Sequence, residues 1–279
     1  MHWRRVTFIV LCLSMIGVSA VFGIPYRYSP SVRLSLIAVG LAAVFLPALA
    51  LAVAIATDRS GSRIAAIGGF ALVAPIGLFA FLPGFGPPDA VGASENYLRY
   101  VVLLAGSVCL GIGLIVLSAM TEERGSLVVG RLARTTAILA APLYILWATV
   151  LIEIATIMSL PAQVGSGPWL RWVSDWSDIV LFAAGILSYL SAATLSLALS
   201  EVGDVRRGPA LAFSSISLVS AALLLTRGLV FPSPTEAFRH WYTIPGWVAG
   251  IPAVPWMIPA FLGAICLRCR SSSSRSQAD

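Results

Sequence analysis

The 279-residue chain has no lysine, a single asparagine (Asn96), two histidines and few charges of either sign; charged residues make up 11% of it and hydrophobic residues 58%. A soluble globular domain carries about 25% charged residues, so this composition excludes an ordinary water-soluble fold. All 18 basic residues are arginine, placed singly or in pairs with no run of five. Despite the net charge of +6, that scatter excludes the basic stripe of a nucleic-acid-binding surface. The absence of lysine reads as a compositional bias and carries no function.

Histidine and cysteine are too scarce for a metal centre. His2 and His240 are expected on opposite sides of a membrane, and no cluster of His, Cys and carboxylate has metal-ligand numbers. Cys12 and Cys109 lie inside apolar runs. Cys266 and Cys269 form one CxxC with no second pair and no βαβ context, so neither a zinc site nor a thioredoxin-like centre follows. No Gly-x-Ser-x-Gly surrounds any serine. No cofactor motif and no internal repeat is visible either. The chain is therefore read first as a non-enzyme without a cofactor.

What is abundant is long hydrophobic runs. Eight stretches of mostly apolar residues cover about 6–24, 34–57, 64–83, 100–120, 135–158, 179–200, 211–231 and 247–267. About 20 such residues in a helix cross the ~30 Å hydrocarbon core. Because only helices or closed barrels satisfy their backbone inside lipid, the sequence predicts an all-α polytopic transmembrane bundle. Residues 1–270 form its single domain, and 271–279 (SSSRSQAD and the serine before it) form a polar, disordered tail on the cytoplasmic side. Twelve arginines fall at the N-terminus, in loops 58–63, 121–134 and 201–210, and near the C-terminus, against five in the alternate loops. The positive-inside bias then predicts both termini in the cytoplasm. Residues 1–20 also resemble a signal peptide ending in small residues. The run continues to Ile24, which favours a retained first helix; cleavage would leave seven spans and an N-terminus outside.

Two charges fall inside the predicted spans, Glu153 and Arg227. Counting back from the ends of their helices puts them ~7 Å and ~6 Å below the outer boundary. An intramembrane charge costs about 2.5–3.5 kcal/mol on insertion scales and seeks a partner. The expectation is an ion pair or shared polar cavity, with Thr149 and Thr156 on the Glu153 face and Ser220 on the Arg227 face. The alternative is that both side chains snorkel to the headgroups. On the outer side Trp169, Trp172 and Trp176 share a helical face, opposite Arg171, Asp175 and Asp178, as an interfacial anchor or a lid. Glu236 and His240, four residues apart in an outer loop, are candidate acid–base groups.

Packing signals are plainer. Ala184, Ser188, Ala192 and Ser196 recur every fourth residue, a small-residue seam for close helix approach and a possible docking face. Pro47, Pro75, Pro142, Pro252, Pro255 and Pro259 are expected to kink or break their helices. Three functions are consistent with this pattern. The first is binding or translocation of a small amphipathic or lipid-like molecule near the outer leaflet, between helices five, seven and eight. The second is an intramembrane enzyme acting on a lipid or isoprenoid, and the third a non-catalytic subunit of a membrane complex. The partners implied are membrane lipids and an amphipathic ligand.

Overall fold

The computed structural model describes residues 2–22, 28–58, 62–82, 92–158, 168–230 and 254–268. Among them are eight α-helices and no strand: α1 (His2–Phe22), α2 (Pro30–Ala56), α3 (Arg63–Leu78), α4 (Ala93–Glu123), α5 (Leu127–Met158), α6 (Pro168–Glu201), α7 (Arg207–Val230) and α8 (Val254–Arg268). A 3-10 turn, Phe79–Phe81, extends α3. The first seven are long and apolar enough to cross a membrane, and α8 is a shorter apolar helix. The chain is an integral, multi-pass membrane protein.

Helix boundaries follow local chemistry. Pro30 opens α2 where its missing N–H costs nothing. The Ser62 side chain caps α3 by accepting from the Ala65 amide. α4 and α6 end at Gly125 and Gly203, the described residues with positive φ (109° and 80°), a conformation that a Cβ disfavours. Several helices overrun the hydropathic spans. α5 begins at Leu127 and includes Arg131 and Arg134, and α4 begins at Ala93 and includes Glu95 and Arg99. Polar side chains end a hydropathy run but do not end a helix. For the same reason the tryptophan stripe is no separate element: nothing breaks the chain between Pro168 and Glu201, so 168–178 is the first three turns of α6.

Helices adjacent in sequence pack on one another from α1 to α7, and α8 returns to pack against α3 with further contacts to α1, α2, α4, α6 and α7. α8 is thus the central helix. At its crossing with α3 the two backbones nearly touch. A Cβ at Gly263 would lie 2.6 Å from the Gly69 carbonyl oxygen, and one at Gly69 would lie 2.9 Å from that of Gly263. Small residues allow this approach, on which packing in lipid depends.

The arginine-rich ends converge. Arg4 pairs with Asp58 (3.6 Å), Arg124 with Asp204 (2.7 Å), and the Arg268 guanidinium lies 4.9 Å from the Phe8 ring centroid. The N-terminus of α1, the α2–α3, α4–α5 and α6–α7 connections and the C-terminus of α8 therefore share one end of the bundle. Burial of Asp204 raises its pKa above the ordinary carboxylate range, an effect that Arg124 opposes.

Candidate functional site

In the half of the bundle away from that end, α1 and α2 splay. Ser14, Gly17, Val18 and Val21 of α1 face Leu36, Val39, Gly40 and Ala43 of α2 across a crevice of about 210 Å³, floored by Phe79 and Ala80. Among the described residues, nothing ionisable lines it. Leu11 and Met15 of α1 are almost fully buried. Exposed Val39 stands at the mouth. Toward the α2 N-terminus a second hollow, lined by Ser31, Val32, Ser35, Leu36 and Val39, shares Leu36 and Val39 with the first. Nearby, the Ser35 hydroxyl donates to the Ser31 carbonyl and Arg33 reaches Glu95 at 4.0 Å. Toward the helix end the lining thus gains two serines while staying mostly apolar.

Behind the floor is a node of aromatic and hydroxyl groups. Phe79 stacks on Trp256 of α8 (centroids 5.5 Å apart, planes at 22°), and Tyr144 of α5 meets the same indole edge-on (5.8 Å, 86°). Gly106 of α4 makes room for the indole: a Cβ there would lie 2.4 Å from the ring. Both Tyr144 and Trp256 are fully buried, and the Tyr144 hydroxyl stands against the Trp256 indole N–H and the Ser188 hydroxyl. Beside them Ser188 Oγ donates to the Pro255 carbonyl at 3.4 Å. The reason lies one turn on. Pro259 has no N–H to give that carbonyl, so a hydroxyl from α6 supplies the donor.

The sequence-predicted residues that fall among the described ones lie on different helices. Glu153, Thr149 and Thr156 are exposed along one stripe of α5, and both threonine hydroxyls donate to carbonyls of their own helix, those of Leu146 and Ile152. Ser220 is buried on α7 and faces Tyr189 of α6. α6 packs between α5 and α7. The Arg227 side chain lies outside the described residues, as do Glu236, His240, Pro252, Cys269, 271–279 and the Asp175 side chain. Trp169, Trp172 and Trp176 are exposed on the overhang of α6. Ala184, Ser188, Ala192 and Ser196 are fully buried, and Ser188 and Ser196 bond to α8 and α7; the seam's neighbours are helices of the same chain. No group of three metal-ligating side chains occurs among the described residues.

Sequence reasoning missed the crevice, Tyr144 and Trp256, and misplaced Arg99. Counted as a loop arginine, Arg99 is in fact buried within α4, where it donates to Asn96 Oδ1 at 2.7 Å. The only Asn of the chain, one helical turn before an Arg, was the available signal. No family model matches the chain, and no curated protein or solved structure is detectably similar to it.

Proposed function

We propose that this protein takes up a small amphipathic or lipid-like molecule from the bilayer, to bind or translocate it, with the crevice between α1 and α2 as its entry site. The observation that carries this reading is the apolar lining, which gains two serines toward the α2 N-terminus. Apolar walls from Val18 to Ala43 suit a hydrocarbon tail, and Ser31 and Ser35 beyond suit a polar head. The concentration of arginine at the opposite end supports an orientation with that end, and both termini, in the cytoplasm. The crevice then belongs to the outer leaflet. Glu153, exposed on the same half of the bundle, is retained as a candidate polar contact with headgroups.

The reading is tested by photolabelling the full-length protein in nanodiscs with an alkyl-diazirine lipid analogue, followed by peptide mapping. Adducts concentrated on residues 14–21 and 36–43 are expected. Labelling spread evenly over the lipid-facing sides of α1, α2, α5 and α7 would overturn it.

A further inference from the structure

We propose that a hollow at the arginine-rich end of the bundle is a headgroup site for an aminophospholipid, whose head carries a phosphate and a primary ammonium together. It lies apart from the crevice between α1 and α2 and shares no residue with it.

The hollow, of about 310 Å³, lies where α5 begins, α6 ends and α7 begins. Val129, Leu197 and Leu211 form its apolar wall, and Ser200, Glu201 and Arg207 bring polar groups to it. Leu197 stands one turn before Glu201 and Leu211 one turn after Arg207, so both leucines lie deeper along their helices than the charges. Charge is thus presented at the end of the bundle and apolar surface toward the spans. Leu211 is exposed, which opens this wall to surrounding lipid chains.

The two charges share the hollow without meeting. Among the described residues Arg207 has no ion-pair or hydrogen-bond partner, and Glu201 is bonded through one oxygen, Oε2, to Ser126 Oγ at 2.6 Å. Other arginines of this end are engaged: Arg124 with Asp204, and Arg131 and Arg134 with Glu122. A guanidinium at this depth suits a phosphate, which it can meet with two parallel N–H donors. A head that is only anionic would set its charge beside Glu201 as well and lose part of that gain. A primary ammonium on the same head brings three donors, for Glu201 Oε1 and the Ser200 hydroxyl. The quaternary ammonium of choline has no N–H and makes neither bond. The pairing of an unengaged cation with a half-engaged carboxylate therefore selects a phosphoethanolamine-type head.

The test is native mass spectrometry of the full-length protein in detergent, titrated with dioleoyl phosphatidylethanolamine, phosphatidylcholine and phosphatidylglycerol. Both charges are exposed, so phosphatidylethanolamine is expected to bind about twofold to fivefold more tightly than the other two. Glu201→Gln should erase that preference while keeping an acceptor for Ser126. Arg207→Gln should weaken phosphatidylethanolamine and phosphatidylcholine alike. Arg206→Gln, one residue away and outside the hollow, should change neither. Ser126→Ala breaks the bond to Glu201 without removing the carboxylate and should keep the preference, which separates lipid contact from support of the fold. A preference that survives Glu201→Gln or is lost in Ser126→Ala would overturn the proposal. So would tightest binding of phosphatidylglycerol, or equal losses in Arg206→Gln and Arg207→Gln, which mark diffuse positive charge. Displacement of the lipid by an equal concentration of glycerophosphoethanolamine, the same head without tails, would overturn it too.

Discussion

Arg124 Nη1 lies 2.7 Å from Asp204 Oδ2 and ties the α4–α5 connection to the α6–α7 connection, eighty residues away in sequence. Ser126 Oγ donates to Glu201 at 2.6 Å in the same place, so the two hairpins are latched twice. The partners are unequal: the Asp204 side chain is 9% exposed and that of Arg124 30%.

This inequality makes the two substitutions asymmetric. Burial raises the Asp204 pKa even against Arg124. The native state therefore holds this proton more tightly than the unfolded chain does, and stability from Asp204 declines as pH rises through its raised pKa. Arg124→Ala leaves a buried carboxylate uncompensated and should cost about 1–3 kcal/mol at neutral pH, between the values for exposed and buried pairs. The loss should shrink on acidification. Asp204→Asn removes the buried charge but keeps an acceptor for Arg124, and should cost less. Thermal unfolding in detergent at several pH values measures both.

The bond from Ser188 to the Pro255 carbonyl exists because Pro259 cannot make it. Ser188→Ala should therefore destabilise by about 1 kcal/mol, the ordinary value of a hydrogen bond. Pro259→Ala restores a backbone donor one turn along α8, so the same Ser188→Ala change in that background should cost little. A double-mutant cycle of unfolding midpoints measures the coupling.

At the α3–α8 crossing, Gly263→Ala would place a methyl group 2.6 Å from the Gly69 oxygen and 2.7 Å from Leu72 Cβ. Backbone on one side cannot yield as a flexible side chain would. The expected cost is about 1–3 kcal/mol, as for other overpacked interiors, read as a lower unfolding midpoint.

The crevice needs α1 as a wall. Arg4 donates to the Ala54 carbonyl at 3.1 Å and pairs with Asp58, while Leu11 and Met15 are buried in the core. The account therefore expects α1 to be retained in the mature protein. Intact-mass measurement of material purified from membranes should find residues 1–20 present; their absence would remove the site.

Fold class was legible in the sequence because lipid imposes one strong rule: apolar runs of bilayer length must be helices. Helix ends were less legible, since residues such as Arg131 and Glu95 halt a hydropathy run while remaining helical. Intramembrane charge was the obvious guide to function, yet Glu153 lies on an exposed stripe, whereas the buried arginine, Arg99, reads as a loop residue. The crevice and the Tyr144–Trp256 node depend on which faces of distant helices meet. A tyrosine and a tryptophan more than one hundred residues apart show no spacing that announces contact. Proline spacing in α8 hinted at a freed carbonyl, and only the fold showed Ser188 answering it.

Gly17 offers the most direct test of the central claim. It lines the crevice, and a Cβ there would meet nothing within 4 Å. Gly17→Leu should fill the cavity at no cost to the fold, since leucine is also the better helix former by close to 1 kcal/mol. The measurement is alkyl-diazirine labelling of residues 36–43 in this variant, set beside its unfolding midpoint. The account predicts labelling of α2 reduced several-fold with the midpoint unchanged or raised. Undiminished labelling at an unchanged midpoint would contradict it.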